Sequence, residues 1–276
     1  MSQRILSAIM FLTLMSGTAF ADECVATFSN VMPTIEVSVD PFSPGQTAAH
    51  AMIPVNLGDA QCEVLIQFDA VGGRRVLRGA GGELEYRLTT RESGLADRLG
   101  GQGTVQSPLR IAIEDLRLVP PGRYEGEVEA RLFSLAGGLL DGPVLIHIRA
   151  NVLPRAQANL AGANAGASYA RVDLGTLQSG ERARLMLQVR SNTQVTVQLT
   201  SQNGSELRLE GAPSAPSIPY ELAFDGEANV AGQGFVRSPR LSQAGEYYPI
   251  EIVVGPVRGV FAGRYNDIVT VTVTPN

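Results

Sequence analysis

The sequence contains no lysine: all 22 basic side chains are arginine, set against 27 acidic ones for a formal net charge of −5. The arginines stand singly or in pairs, so there is no lysine-rich patch for nucleic acid or anionic lipid, and no nucleic-acid partner is expected. Histidine is nearly as scarce. His50 and His147 are the only two, and no recognisable motif sets a serine or cysteine nucleophile beside either. Acidic residues are spread singly, which leaves no spacing for a catalytic carboxylate pair or a calcium loop. Gly100-Gly101-Gln102-Gly103 lacks the strand-turn-helix setting of a phosphate loop. No catalytic, cofactor-binding or metal-binding residue is assigned, and enzymatic function is not expected.

Long apolar runs are missing too. Arg4 precedes the run Ile5 to Met15, which is well short of the ~20 apolar residues that a spanning helix needs. Ala19-Phe20-Ala21 supplies a small-x-small cleavage pattern. Residues 1–21 are therefore predicted to be a secretory signal, with the mature chain starting at Asp22. Export places Cys24 and Cys62, the only two cysteines, in an oxidising compartment where such a pair usually becomes a bridge. Two thiols with no histidine nearby make a poor metal site.

What the chain does contain is a copy of itself, and a repeat decides architecture. Four matches occur in the same order in both halves. SPGQ at 43–46 answers QSGE at 178–181, and EVLIQF at 63–68 answers QVTVQL at 194–199. EYRL at 85–88 answers PYEL at 219–222, and GRYEG at 122–126 answers GRYND at 263–267. Two copies of one domain are predicted, over residues 22–152 and 153–276, with the small-residue stretch AGANAGAS at 161–168 just inside the second.

Within each copy the period is that of strands. After Tyr124, Val128, Ala130 and Leu132 fall on one face while Glu125, Glu127, Glu129 and Arg131 fall on the other, the pattern of a half-buried antiparallel strand. About seven such runs per copy are separated by turns rich in Gly, Pro, Ser and Asp. The expected fold is all-β, two tandem immunoglobulin-like β-sandwiches. Gly-Arg-Tyr opens the sixth strand, where sandwiches often place a tyrosine whose hydroxyl ties down a corner, so Tyr124 and Tyr265 are expected to be structural.

The two copies end differently. The first turns through SLAGGLLDG and continues as a seventh strand, Pro143 to Val152, with Val144, Ile146, Ile148, Ala150 and Val152 on one face. The second reaches Asn276 directly after the run holding Val269, Val271 and Val273. An uncovered strand of this kind exposes unpaired backbone and an apolar groove. Either the second domain simply ends on a short edge strand, or an earlier segment such as Arg155 to Leu160 folds back over it, or a strand from another chain fills it, as in β-strand addition.

The residues VDLGTLQSGERARLMLQVRSNTQVTVQLTSQNGSEL, IPYEL and AGRYNDIVTVTVTPN resemble the spore coat protein U-like domain found in subunits of archaic chaperone-usher pili, from Val172 onward. The first copy is similar through CEVLIQFDA, LEYRL and PGRYEGEVEARLF. The resemblance implies an incomplete pilin domain, held in the periplasm by a chaperone, passed through an outer-membrane usher, and completed by the N-terminal extension of the next subunit. Only Asp22 and Glu23 precede Cys24 in the expected mature chain, so it is expected to accept a strand without offering one. That arrangement resembles a two-domain tip adhesin attaching to a host or abiotic surface and supporting biofilm. A secreted coat protein of the same domain type is the alternative, and a periplasmic pilus chaperone a weaker one, since a chaperone donates its strand.

Strand direction then predicts the outward pole. The turns before strands three, five and seven, at Gly58–Gln61, Arg91–Val105 and Ser134–Gly142, should cluster at the free tip. Leu95, Leu99, Leu135, Leu139 and Leu140 lie in them, either capping the core or forming apolar fingers for a hydrophobic surface.

Overall fold

The computed structural model describes residues 24–29, 33–43, 47–58, 61–91, 94–113, 118–161, 169–228 and 231–276. The predicted signal segment, and residues 162–168 of the small-residue stretch, lie outside them. The chain is all-β, folded as two tandem immunoglobulin-like β-sandwiches; the single helical feature among the described residues is a 3-10 turn at Val71–Gly73.

The first sandwich runs from β1 (Thr27–Phe28) and β2 (Ile35–Val39) through β3 (Ala48–Asn56), β4 (Cys62–Ala70), β5 (Val76–Gly79), β6 (Gly82–Glu85), β7 (Arg87–Thr89), β8 (Ala96–Gly101), β9 (Thr104–Ala112), β10 (Gly122–Ser134) and β11 (Leu139–Val152). One sheet has the order β1-β3-β9-β7 and the other β2-β11-β10-β4-β8, with the β5-β6 hairpin joined to the start of β10. Alternation explains the layering. Val128, Ala130 and Leu132 of β10 and Ile146, Ile148 and Ala150 of β11 have no exposed surface. Their outward neighbours form solvated pairs, Glu125 with Arg149 at 3.3 Å and Glu127 with His147 at 3.1 Å, which add little stability at such exposed positions.

The second sandwich comprises β12 (Ala156–Ala161), β13 (Arg182–Ser191), β14 (Val195–Ser201), β15 (Glu206–Leu209), β16 (Ile218–Phe224), β17 (Gly234–Arg237), β18 (Glu246–Val254), β19 (Tyr265–Asn266) and β20 (Val269–Pro275). Its larger sheet has the order β12-β13-β18-β16-β15-β19 and its smaller one β17-β14-β20. The repeat read in the sequence falls on equivalent positions, EVLIQF on β4 and QVTVQL on β14, GRYEG at the start of β10 and GRYND over β19, just ahead of β20. Each sandwich has its own apolar core.

A polar joint connects them. Asn192 is buried; its Nδ2 donates to the carbonyls of Val119 at 3.2 Å and Leu153 at 2.9 Å, while its Oδ1 accepts from the Arg155 amide at 2.8 Å. Arg155 pairs with Asp40 at 3.0 Å, and the Arg190 guanidinium lies 5.3 Å from the centre of the Phe42 ring. Both cores also hold buried phenols. Burial pushes Tyr86 in the first up to about 12, against a nearby Arg75 that lowers it. Burial, with Glu246 beside it, pushes Tyr248 in the second up to about 12.

These phenols ionise near 10 when unfolded but hold their protons to about 12 when folded. Their contribution to stability is therefore complete below pH 10 and is lost as pH rises towards 12. Thermal midpoints should fall across that window and fall less steeply in the Tyr86→Phe/Tyr248→Phe double variant. Equal slopes in the two proteins would contradict this assignment.

Candidate functional site: an open strand edge and an apolar pole

The smaller sheet of the second sandwich, β17-β14-β20, is the counterpart of β8-β4-β10 in the first. In the first, the far edge of β10 is taken by β11, and β11 by β2. In the second, β20 pairs antiparallel with β14 from Ser201↔Val269 to Val195↔Pro275, and among the described residues no strand lies along its other edge. A row of backbone donors and acceptors is thereby left open.

The side chains register the same difference. On β14, Val195, Val197 and Leu199 are fully buried. On β20, Val273 and Val271, opposite Val197 and Leu199, and Val269, opposite Ser201, pack against the core but are only partly buried. Arg155 to Leu160 does fold back near β20, as one of the readings had it, but without hydrogen-bonding its edge. It leads into β12, which hydrogen-bonds β13 in the opposite sheet because Ala156 to Ala161 continue that ladder in register. From there Ala156 and Leu160 approach the core from across the groove, half-buried.

Both tyrosines sit at corners. The Tyr124 hydroxyl donates to the Pro120 carbonyl at 2.9 Å and the Tyr265 hydroxyl to that of Phe261 at 3.0 Å. Asp267, not singled out in the sequence, anchors the entry to β20. Its carboxylate accepts from the Tyr220 hydroxyl at 2.6 Å, the Ser201 hydroxyl at 2.5 Å and the Asn203 amide at 3.0 Å. Burial, reinforced by the bond to Asp267, pushes the Tyr220 phenol well above its usual range.

At the opposite end of the molecule, the register carries Val64↔Ser134, Cys62↔Gly101 and Asn56↔Thr104 to one pole of the first sandwich. Gly58 joins them, its carbonyl accepting from the Gly103 amide at 2.7 Å. Cys24 and Cys62 form a disulfide there, with Cα atoms 5.4 Å apart. The five leucines do not act together. Leu135 and Leu139 are more than half exposed, at 52% and 56%. Leu140 is half-buried against the core.

Leu99 belongs to the core, the first of the two readings of these leucines, and it corrects the extent of the turn. Arg91 to Val105 is not one turn, since Ala96–Gly101 pairs with β4 as β8, and the alternation within that strand buries Leu99 opposite Val64. Leu95 packs partly against the core beside Phe68, whose amide donates to its carbonyl at 2.8 Å. Phe68 pairs with Ala130, well down the sandwich from the pole. An exposed apolar residue that sequence reasoning missed, Val25, sits next to the disulfide at 65% exposure.

No protein-family model and no curated protein sequence matches the chain. Among solved structures it is similar to a chain of the CsuC-CsuE chaperone-tip adhesion subunit pre-assembly complex from archaic chaperone-usher Csu pili of Acinetobacter baumannii. The identity is 13% and the TM-score 0.57, over 90% of this chain and 99% of that one. Weaker likenesses are to CfaE, the adhesive subunit of CFA/I fimbria of enterotoxigenic Escherichia coli, at 14% identity and a TM-score of 0.37 over 91% of this chain and 81% of that one, and to the CupB6 tip adhesin of Pseudomonas aeruginosa, at 10% and 0.37 over 91% and 93%. At these identities the likeness is one of fold.

Proposed function

We propose that the chain is the tip adhesin subunit of an archaic chaperone-usher pilus, exported to the periplasm and then carried to the cell surface. Residues 22–152 are the receptor-binding domain, and residues 153–276 are a pilin domain of spore coat U type. The observation that carries this reading is the free edge of β20 above three partly buried valines, where the equivalent edge of β10 is covered by β11. A strand supplied first by a periplasmic chaperone and later by the next pilin would pair that edge and bury Val269, Val271 and Val273. The likeness in fold to a chain of a chaperone-tip adhesion subunit complex supports the same reading.

An epitope-tagged chain should be seen once per fibre, at its distal end. Labelling along the shaft, or none on fibres of cells making the chain, would contradict the proposal. The attachment surface follows from exposure: Leu135, Leu139 and Val25 share the pole farthest from the open edge. Leu135→Ser/Leu139→Ser should leave fibres assembled yet reduce attachment to hydrophobic plastic at least several-fold. Unchanged attachment would remove these leucines from the binding surface.

A further inference from the structure

Asn203-Gly204 is the only Asn-Gly step in the sequence, and it lies in the turn between β14 and β15. Both residue types tolerate the left-handed backbone that such turns call for. Gly204 uses that freedom with a φ of +70°, and Ser205 follows with a φ of +64°, which a residue carrying a Cβ rarely adopts. Ser205 is fastened there from two sides. Its amide donates to the Ser201 hydroxyl at 2.6 Å, and its carbonyl accepts from the Tyr220 amide at 2.9 Å.

The same pair of residues is chemically reactive, asparagine being among the thermally labile side chains. The main-chain nitrogen of the following residue can attack the asparagine Cγ and close a five-membered ring. A Cβ on that residue obstructs the attack, and a hydrogen bond on its nitrogen holds it back. Neither obstacle is present at Gly204. It is exposed, the space a Cβ would take is empty out to 4 Å, and among the described residues its amide makes no hydrogen bond. The Asn203 carboxamide is restrained by one long bond, from Nδ2 to the Asn266 carbonyl at 3.4 Å.

What the reaction would disturb is the anchor of β20. The Asn203 amide donates to Asp267 Oδ1 at 3.0 Å, beside the Ile268 amide at 2.7 Å, while the Ser201 and Tyr220 hydroxyls occupy Oδ2. These donors are all neutral, so a second carboxylate at position 203 meets uncompensated repulsion from Asp267.

We propose that Asn203 is a site of spontaneous modification, a clock that converts it to aspartate and isoaspartate and thereby releases the corner holding the start of β20. The bond from the Gly204 nitrogen to Asn203 Cγ forms, the Cγ–Nδ2 bond breaks, and the Gly204 amide proton leaves with that nitrogen as ammonia. Water then opens the ring and returns a proton to the Gly204 nitrogen. Opening at Cγ leaves aspartate. Opening at the main-chain carbonyl leaves isoaspartate, whose chain runs through Cγ and is one atom longer, so the Asn203 and Ser205 amides lose their fixed spacing to Asp267 and Ser201. The consequence for strand capture rests on reading the free edge of β20 as an acceptor; the modification and the loosening do not.

The test ages the full mature chain at 37 °C in mildly alkaline buffer and follows each asparagine by peptide mass spectrometry, with electron-transfer fragmentation to tell isoaspartate from aspartate. Asn203 should convert several-fold faster than any other asparagine, and amide hydrogen exchange at Ile268 to Val271 should quicken in step with the converted fraction. Asn203→Gln keeps the backbone donor but would have to close a larger, slower ring, so it should age without either change. Asn203→Asp carries the new charge without the longer chain and should show the smaller part of the loosening. Conversion of Asn203 no faster than that of the other asparagines overturns the site. Conversion without faster exchange in β20, or equal loosening in aged Asn203→Gln, overturns the clock. Aged protein should also co-purify with the cognate chaperone several-fold less well than fresh protein. If fresh protein is not captured at all, the acceptor reading falls while the exchange measurement still decides the clock.

Discussion

Replacing Val271 with aspartate should abolish incorporation of the chain into fibres while leaving the free chain folded. Val271 is only partly buried before any partner arrives, so the new carboxylate can turn to water at the open edge, and the first sandwich with its separate core is untouched. Once a strand covers the groove, that carboxylate is buried with no cation placed to meet it. An unpaired buried charge costs about 3–5 kcal/mol, equivalent to weakening strand capture by roughly two to four powers of ten. Thr272→Asp is the matched control, because the neighbouring side chain points to solvent from the same strand. Co-purification with the cognate chaperone and recovery in sheared fibres are the measurements. If Val271→Asp assembles as well as Thr272→Asp, the groove does not take the strand.

The architecture was legible because strands that bury one face must alternate, and the repeat supplied each pattern twice. Tyr124 to Leu132 declared its inward residues without ambiguity, and the cysteines needed only the expected compartment to be paired. The tip was less legible, and Leu99 shows why. A leucine among glycines looks the same in sequence whether its segment is a loop or an edge strand. Its burial is decided by pairing with Val64, a contact between positions far apart in the chain. Arg155 to Leu160 was legible as a segment near the groove, but its pairing was not: alanine carries almost no periodic signal, so β12 declares itself only through its ladder with β13. Asp267 has no local motif at all. Its Ser201, Asn203 and Tyr220 donors converge from β14, the turn after it and β16.

Removing the disulfide should lower the stability of the first sandwich by about 3–4 kcal/mol, the loop-closure contribution of a cross-link at this separation, while leaving strand capture by the second intact. The bridge spans 38 positions, tying the segment before β1 to the start of β4. Inside that loop β1 has only two residues paired with β3, Thr27 with Asn56 and Phe28 with Val55, so little else in the sheet holds the N-terminal segment at the outward pole. A bond from the Phe28 amide to Asp141, at 2.7 Å, couples it to the start of β11. Loosening it would therefore disturb the hairpin that displays Leu135 and Leu139 before disturbing anything at the joint. Against a typical domain stability of about 5–15 kcal/mol, a deficit of this size leaves a folded but far more labile tip. Chemical denaturation of Cys24→Ser/Cys62→Ser should show a lower midpoint with an unchanged slope for that transition, and fibres carrying the variant should assemble yet lose attachment on warming. A midpoint shift worth less than about 1 kcal/mol would mean that the core alone holds the segment. Loss of assembly would mean that the two sandwiches are coupled through the Asn192 joint more tightly than their separate cores imply.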